Sequence, residues 1–459
     1  MVEVKKINEN MWEIPKTGEM NVPGLVLASE KLIKDIKQDK TLSQVQNVAK
    51  LPGIIGSSIA LMDAHQGYGF SIGGVAGFDM DKGVISPGGV GYDIDCSVRL
   101  LSTNLTLADI EKVGKKEIIH SLFRTVPSGV GRGSKINLKA SDLNEVLRKG
   151  ARWAVEHGYG SEEDLAHLEE NGNLTPADPE NVSKRAKQRG IGQLGTLGAG
   201  NHFLEIQEVT KIYDKEKAKE WGLEKGQITI MIHCGSRGLG HQVASDYIKL
   251  MEAKYGWPEY DRELVNAPIK SELGEKYFSA MNCAANFAFA NKQVITHWVR
   301  ENLLHYFPKL KADVVYEVCH NIAKKEKHDI NGEEKEILVM RKGATRAFPN
   351  QPVLIPGSMG TASYVLVGTQ KAVELSFGST AHGAGRVKSR TKARKTITTD
   401  DVKKEMASKG IELEAGSFKG IVEEASSVYK DIDEVVKVSD ELGIGKLIAK
   451  LKPLAVMKG

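Results

Sequence analysis

Four cysteines among 459 residues, Cys96, Cys234, Cys283 and Cys319, are too few and too scattered for a disulfide framework. That scarcity excludes a small oxidised scaffold, points to a reducing compartment, and leaves chemistry as the role for any special cysteine. Nowhere does the chain approach the ~18 consecutive apolar residues of a membrane span, so a soluble protein with no membrane partner is expected. Residues 1–6 lack the apolar stretch and small-residue cleavage site of a secretory signal, and cytoplasmic residence is the expectation. Also missing are internal repeats, low-complexity tracts and any Pro/Ser-rich linker, which predicts a single domain over residues 1–459. Strands and helices mix without regular βαβ alternation, which excludes a Rossmann or barrel plan and predicts an α+β, or irregular α/β, class.

What is present is locally concentrated. The net charge of +4 decides little, but six of the ten residues 386–395 are Lys or Arg and none is acidic. A second cluster holds Lys184, Arg185, Lys187 and Arg189. Such clusters are the footprint of a phosphate-rich partner, with a solvated cationic face as the plain alternative. The 47 glycines gather in 67–91, 190–200, 235–240 and 378–385, marking loops or close backbone approaches. Apolar runs at 228–232 and 314–318 predict short buried strands leading to His233 and His320. Helices are predicted over 107–123, where Thr106 and Asp109 resemble a capping box, and over 142–157, 242–255 and 270–307. The carboxyl-terminal part is expected to be mostly helical to about residue 451.

Five segments set metal-capable or nucleophilic side chains beside glycine: 91–96 with Asp93 and Cys96, 200–205 with His202 and Glu205, 232–237 with His233, 318–321 with His320, and 382–386 with His382. Each alone is weak, because a histidine at a strand end is usually a structural hydrogen bonder. Jointly they place four of the twelve histidines at glycine-flanked element ends, where active sites are assembled. Strand alternation would turn Asn201 and Glu205 one way and His202 the other. One face can then hold a nucleotide and the other a metal. Asp93 and Cys96, three apart, would diverge on a regular strand, so joint ligation requires a turn or bulge, which Gly88, Gly89 and Gly91 permit. A thiolate with imidazoles favours zinc by softness; the carboxylate and the need for open positions pull the other way. A cysteine shared by two ions fits a metal pair.

Taken in chain order, the stretches 63–70, 88–96, 198–205, 233–238, 356–359 and 382–386, with the final Lys458 and Gly459, resemble the RtcB family of RNA-splicing ligases over essentially the whole chain. The resemblance implies a family-specific fold with a mixed β-sheet core flanked by helices. It also implies a GTP- and manganese-dependent ligase that joins RNA ending in a 2′,3′-cyclic phosphate or 3′-phosphate to RNA with a 5′-hydroxyl, in tRNA splicing or RNA repair. Matching makes Cys96 the bridge between two Mn2+ ions, with His233 and His320 completing one site and Asp93 and His202 the other. His382 becomes the guanylylated nucleophile. GTP is implied near Asn201, His202, Phe203, Leu204 and Glu205, His320 and Asn321, Pro356, Gly357, Ser358 and Met359, Ser363, His382, Gly383, Ala384 and Gly385, and Lys458. Arg189, Arg237 and His65 are candidates for RNA contact, tRNA exon halves are the implied substrate, and an archease-type activator is an implied partner.

Three positions depart from the family pattern. Asp95 stands where asparagine is common, Ser97 where glycine is frequent, and Ala381 where cysteine is common. An additional carboxylate at Asp95 would strengthen or compete for the metals. Two rival readings remain on the residues alone. A binuclear metallohydrolase would need Asp93, Cys96, His202, His233 and His320 but neither His382 nor Lys458. A nonenzymatic RNA binder would need only the basic clusters.

Overall fold

The computed structural model describes residues 2–129 and 133–459. It contains two large mixed sheets. The first runs in the order Lys5–Asn8, Met11–Ile14, Gly24–Leu27, Ile54–His65, Ile72–Asp79, Glu333–Lys342, Asn321–Ile330. The second runs Ala312–Cys319, Ser97–Thr106, Gln227–Cys234, Phe203–Ile212, Gly445–Lys458, Ser363–Gly368, Pro352–Ile355, with Glu412–Ala415 paired alongside Gly445–Lys458. Both predicted strands therefore exist, and the class is α+β as the composition of elements suggested.

Period-two alternation explains how the second sheet is covered on both faces. Leu101, Leu204, Ile206, Ile228, Ile230 and Ile232 enter the largest apolar core, shared with the helix Glu272–Tyr306. Their neighbours Val98, Leu100, Phe203 and Met231 enter a smaller cluster on the opposite face. The long helix is itself buried along most of its length, capped by Ser271, and carries polar side chains inward to brace loops. Asn291 Oδ1 accepts from the backbone N–H groups of Gly195 and Thr196 at 2.6 and 3.0 Å, and its Nδ2 donates to the Thr196 carbonyl at 3.1 Å. The glycine-rich approach to His202 is thus clamped from beneath.

Three expectations need correction. Residues 445–458 form a 14-residue strand, not a helix continuing to 451. Register shifts between Lys450 and Leu451, and between Pro453 and Ala455, break the two-residue period, and the contiguous apolar stretches 447–449 and 454–457 show no alternation from which a strand could be read. The region 107–123 is two helices, Leu107–Val113 and Lys115–Thr125, separated by Gly114 at φ +96°; the Thr106/Asp109 capping box is present. Likewise Gly150, at φ +58°, divides Ala140–Lys149 from Ala151–Glu156. Among the described residues, no helix is long and apolar enough to cross a membrane.

Strand register decides where the chemistry collects. Ser97 is opposite both Cys319 and Cys234, Val98 is opposite His233, and His233 is opposite Phe203. Cys96, His202, His233 and His320 consequently lie at one shared end of four adjacent strands. His320 also occupies the junction where the chain leaves Ala312–Cys319 for Asn321–Ile330, and so sits in the seam between the two sheets.

Candidate active site

The segment before strand Ser97–Thr106 makes the turn that Asp93 and Cys96 require. The Cys96 N–H donates to the Asp93 carbonyl at 3.0 Å, and Asp95 adopts φ +52°. Cys96 Sγ then lies 3.1 Å from His233 Nε2 and 3.5 Å from His202 Nε2. His233 Nε2 is 3.3 Å from His320 Nε2, and His202 Nε2 is 2.7 Å from Asp93 Oδ2. Two donor groups result, Cys96–His233–His320 and Asp93–Cys96–His202, with the sulfur common to both. Gly235 makes room for the second, because a Cβ there would come within 2.4 Å of the Asp93 carboxylate.

Two imidazole nitrogens and a thiol facing one another in a buried site cannot all be satisfied by protons. Burial, reinforced by neighbouring positive rings, depresses His233 and His320 well below the ordinary imidazole range. Burial and the Asp93 charge push the Cys96 thiol up. Burial pulls His202 down most strongly, but Asp93 and Cys234 together raise the ring to about 9, while His202, helped by Arg237 and Cys96, holds Asp93 down at about 2 against its own burial. The set turns sulfur, imidazole and carboxylate donors toward one another. Divalent cations fit it, and the His202 Nδ1, 3.1 Å from the Leu197 carbonyl, is placed to donate there and leave Nε2 for a metal.

Asp95 does not join the donors. Its carboxylate turns beneath the turn to lie 3.6 Å from the Lys292 ammonium, within a buried cluster in which Lys292 meets Glu317 at 3.1 Å and Arg99 Nε donates to Glu317 at 2.7 Å. Burial, opposed by Lys292, raises the Asp95 carboxyl from its ordinary 3.8 to about 7. Between those values the native chain keeps a proton that the unfolded chain has released, so the contribution of Asp95 to stability falls as pH rises through the window. With metal chelated, Asp95→Asn is expected to melt increasingly above the parent as pH is raised from about 4 to about 7, by scanning calorimetry. Melting curves that stay parallel would show that Lys292 keeps the carboxylate ionised throughout.

His382 approaches from a separate two-stranded sheet that Asp63 ties to the first large sheet. It follows the short strand Ser379–Ala381, which pairs with Ala344–Arg346, and its ring centroid is 5.0 Å from that of His320. Buried Asp63, on strand Ile54–His65, accepts from the His382 N–H at 3.0 Å and meets Nδ1 at 2.5 Å. Burial alone would raise the Asp63 carboxyl, but His382 holds it below its ordinary value. Gly385 is required here, with φ +71° and a Cβ position 2.0 Å from the Asp63 carbonyl.

A cavity of about 360 Å3 opens on these groups. Of the residues matched to nucleotide binding, Asn201, Phe203, His320, Asn321, Pro356 to Met359, His382 to Gly385 and Lys458 line it, as do His65, Asp93 and His233. Glu205 is buried behind it, with Oε2 accepting from Gln207 at 2.7 Å and Oε1 without a partner among the described residues; burial pushes its carboxyl up to about 8. The Ser363 hydroxyl braces Gln207 and the Gly357 N–H, and the Leu204 side chain enters the apolar core. Arg237 lies 3.3 Å from His202 Nδ1, and exposed Arg189 donates to Gln242 at 3.0 Å.

Sequence reasoning gave no role to Asp63, although it opens one of the quoted stretches. It also passed over Tyr68, Tyr92, Lys342, Glu424 and Tyr429, which line the cavity. Glu424 sits in no motif, yet it accepts from Lys458 at 3.4 Å and pairs with Arg386 at 3.4 Å. Arg390 and Arg394 of the cationic run pair with Glu423, so that cluster is partly neutralised.

The family model described as tRNA-splicing ligase RtcB matches residues 44–459. A tRNA-splicing ligase RtcB of Thermococcus kodakarensis is 52 % identical over 481 aligned positions, covering 100 % of this chain and 99 % of its own length. The tRNA-splicing ligase RtcB of Nanoarchaeum equitans is 50 % identical with complete coverage of both, 100 % and 100 %. RNA-splicing ligase RtcB homolog 1 of Entamoeba histolytica is 50 % identical, covering 98 % of this chain and 88 % of its own.

Proposed function

Because the chain belongs to the RtcB family of tRNA-splicing ligases, we propose that it seals RNA bearing a 3′-phosphate or 2′,3′-cyclic phosphate to RNA bearing a 5′-hydroxyl. GTP activates the phosphate end through a nucleotide carried on His382. The observation that carries this reading is the Asp63–His382 pair at the mouth of the donor cluster. A carboxylate on Nδ1 fixes the ring tautomer and leaves Nε2 with the lone pair a nucleophile needs.

A phosphate monoester offers only hydroxide or oxide as a leaving group, so direct attack by a 5′-hydroxyl is unfavourable. His382 Nε2 attacks the α-phosphorus of GTP; the N–P bond forms, the bond to pyrophosphate breaks, and Asp63 stabilises the positive charge that develops on the ring. The RNA 3′-phosphate oxygen next takes GMP from His382, returning the ring to its neutral form. Attack by the 5′-hydroxyl then makes the phosphodiester and expels GMP. A cyclic phosphate is first opened by water. Manganese, held by Asp93, Cys96, His202, His233 and His320, would supply positive charge against that growing on the phosphoryl oxygens. Positioning of the reacting ends carries much of the rate, since alignment can be worth ~7–11 kcal/mol.

Guanine suits the far end of the cavity. The unpartnered Oε1 of Glu205 is a buried acceptor that guanine N–H donors would satisfy and hold ionised. Lys458, close to Glu424 and the Gly200 carbonyl, can reach a ribose or base oxygen. The test is a two-strand assay with one labelled RNA ending in a 3′-phosphate and a second beginning with a 5′-hydroxyl. Joined product is expected only when GTP and manganese are both supplied. Strands that are cut, or cyclic ends that are opened, without ever being joined would replace the ligase reading with a metallohydrolase.

A further inference from the structure

Three rings follow one another from the wall of the nucleotide cavity toward solvent. Tyr68 meets Tyr92 edge to face with centroids 5.5 Å apart, and Tyr92 stacks on His241 at 4.8 Å with 27° between planes. Tyr68 and Tyr92 both line the cavity, and Tyr92 precedes the metal-donor Asp93. His241, on the first turns of helix Arg237–Tyr255, is exposed. The stack thus begins at the reacting centre and ends in solvent.

A basic helix packs beside it. The helix Lys184–Gly190 packs against Arg237–Tyr255 where Gly190 meets Leu239, which a Cβ would approach to 2.6 Å. That contact brings Arg189 to Gln242, next to His241, with Lys184, Arg185 and Lys187 on the same short helix. Aromatic faces set along a cationic track are how single-stranded nucleic acid is held without reading its sequence, each base having a π face to stack.

Resting on the ligase reading above, we propose that the His241–Tyr92 stack is a base-binding subsite: the nucleobase beside a reacting RNA end lies on the free face of His241, with the backbone phosphates along Lys184–Arg189. Tyr92 supports the imidazole from behind. The contact is made by ring area, not by imidazole charge.

The probe is a short single-stranded RNA with 2-aminopurine near one end, used with the intact chain loaded with manganese. One version carries the reporter beside a 3′-phosphate, the other beside a 5′-hydroxyl. Fluorescence quenching on binding is expected for the strand whose end occupies this side, which also identifies that strand. His241→Ala is expected to relieve the quenching and weaken binding about tenfold, or ~1.4 kcal/mol. His241→Phe should hold affinity within about twofold and keep the quenching, whereas His241→Lys should not rescue it. Binding without quenching for both probes, or rescue by lysine and not by phenylalanine, overturns the proposal. Quenching that follows this pattern while the strands are never joined would leave the subsite standing and sink the ligase reading instead; joining without quenching would do the reverse.

Discussion

Replacing His382 by alanine is expected to abolish protein labelling by GTP carrying a radioactive α-phosphate, a loss of roughly 10⁴-fold or more, because the nitrogen that forms the covalent bond is gone. In the parent, the label should withstand alkali and be released by acid, as a phosphoramidate is. Asp63→Asn makes the more discriminating companion. The Nδ1 contact at 2.5 Å supplies both orientation and a negative charge for the imidazolium that forms. An amide keeps the shape, loses the charge, and can offer an N–H where an acceptor is needed, so labelling is expected to slow by roughly 10²-fold or more. The Asp63→Asn chain labelled at the parental rate would show that the pair is merely structural; label persisting in His382→Ala would move the nucleophile elsewhere.

Cys96→Ala should cost the protein both metal sites together. Its sulfur is the single donor shared by the two groups, 3.1 Å from one histidine and 3.5 Å from another. His202→Ala and His320→Ala each remove a donor from one group only. Metal content after manganese loading and dialysis, measured by mass spectrometry, is therefore expected to fall toward zero in Cys96→Ala and by about half in each histidine variant. Ligation should drop roughly 10³-fold or more with the cysteine. A Cys96→Ala chain that retains two ions and joins RNA would refute the shared sulfur. Unchanged RNA retention in Cys96→Ala, with no joined product from either the parent or the variant, would instead favour a protein that only binds RNA.

Local chemistry was legible in the sequence, and long-range pairing was not. The short runs before His233 and His320 read correctly as strands because they are short, rich in β-branched residues and closed by polar residues. That Asp93 and Cys96 need a turn followed from the two-residue period alone, and the structure supplies it. Strand Gly445–Lys458 was misread because its register shifts hide the period and its partners are far away in sequence. Asp63 escaped assignment for a related reason: its partner His382 is 319 positions away, and a lone aspartate at a strand end carries no signal of its own. Glu424 was equally silent, since only the fold brings it to Lys458 and Arg386. For Asp95, sequence reasoning left open whether the extra carboxylate strengthens or competes for the metals; the fold gives it an ammonium to face.

The seam between the sheets has a mechanical meaning. The donor cluster is fixed to the shared ends of one sheet, His382 is tethered by Asp63 to the other, and His320 is the stitch between them. Under the proposed mechanism, sliding one sheet against the other would alter the gap between donor cluster and His382 while leaving the cluster and the tethered ring each intact. A change remote from the cavity, at the interface of the two layers, can therefore detune transfer without touching a single ligand.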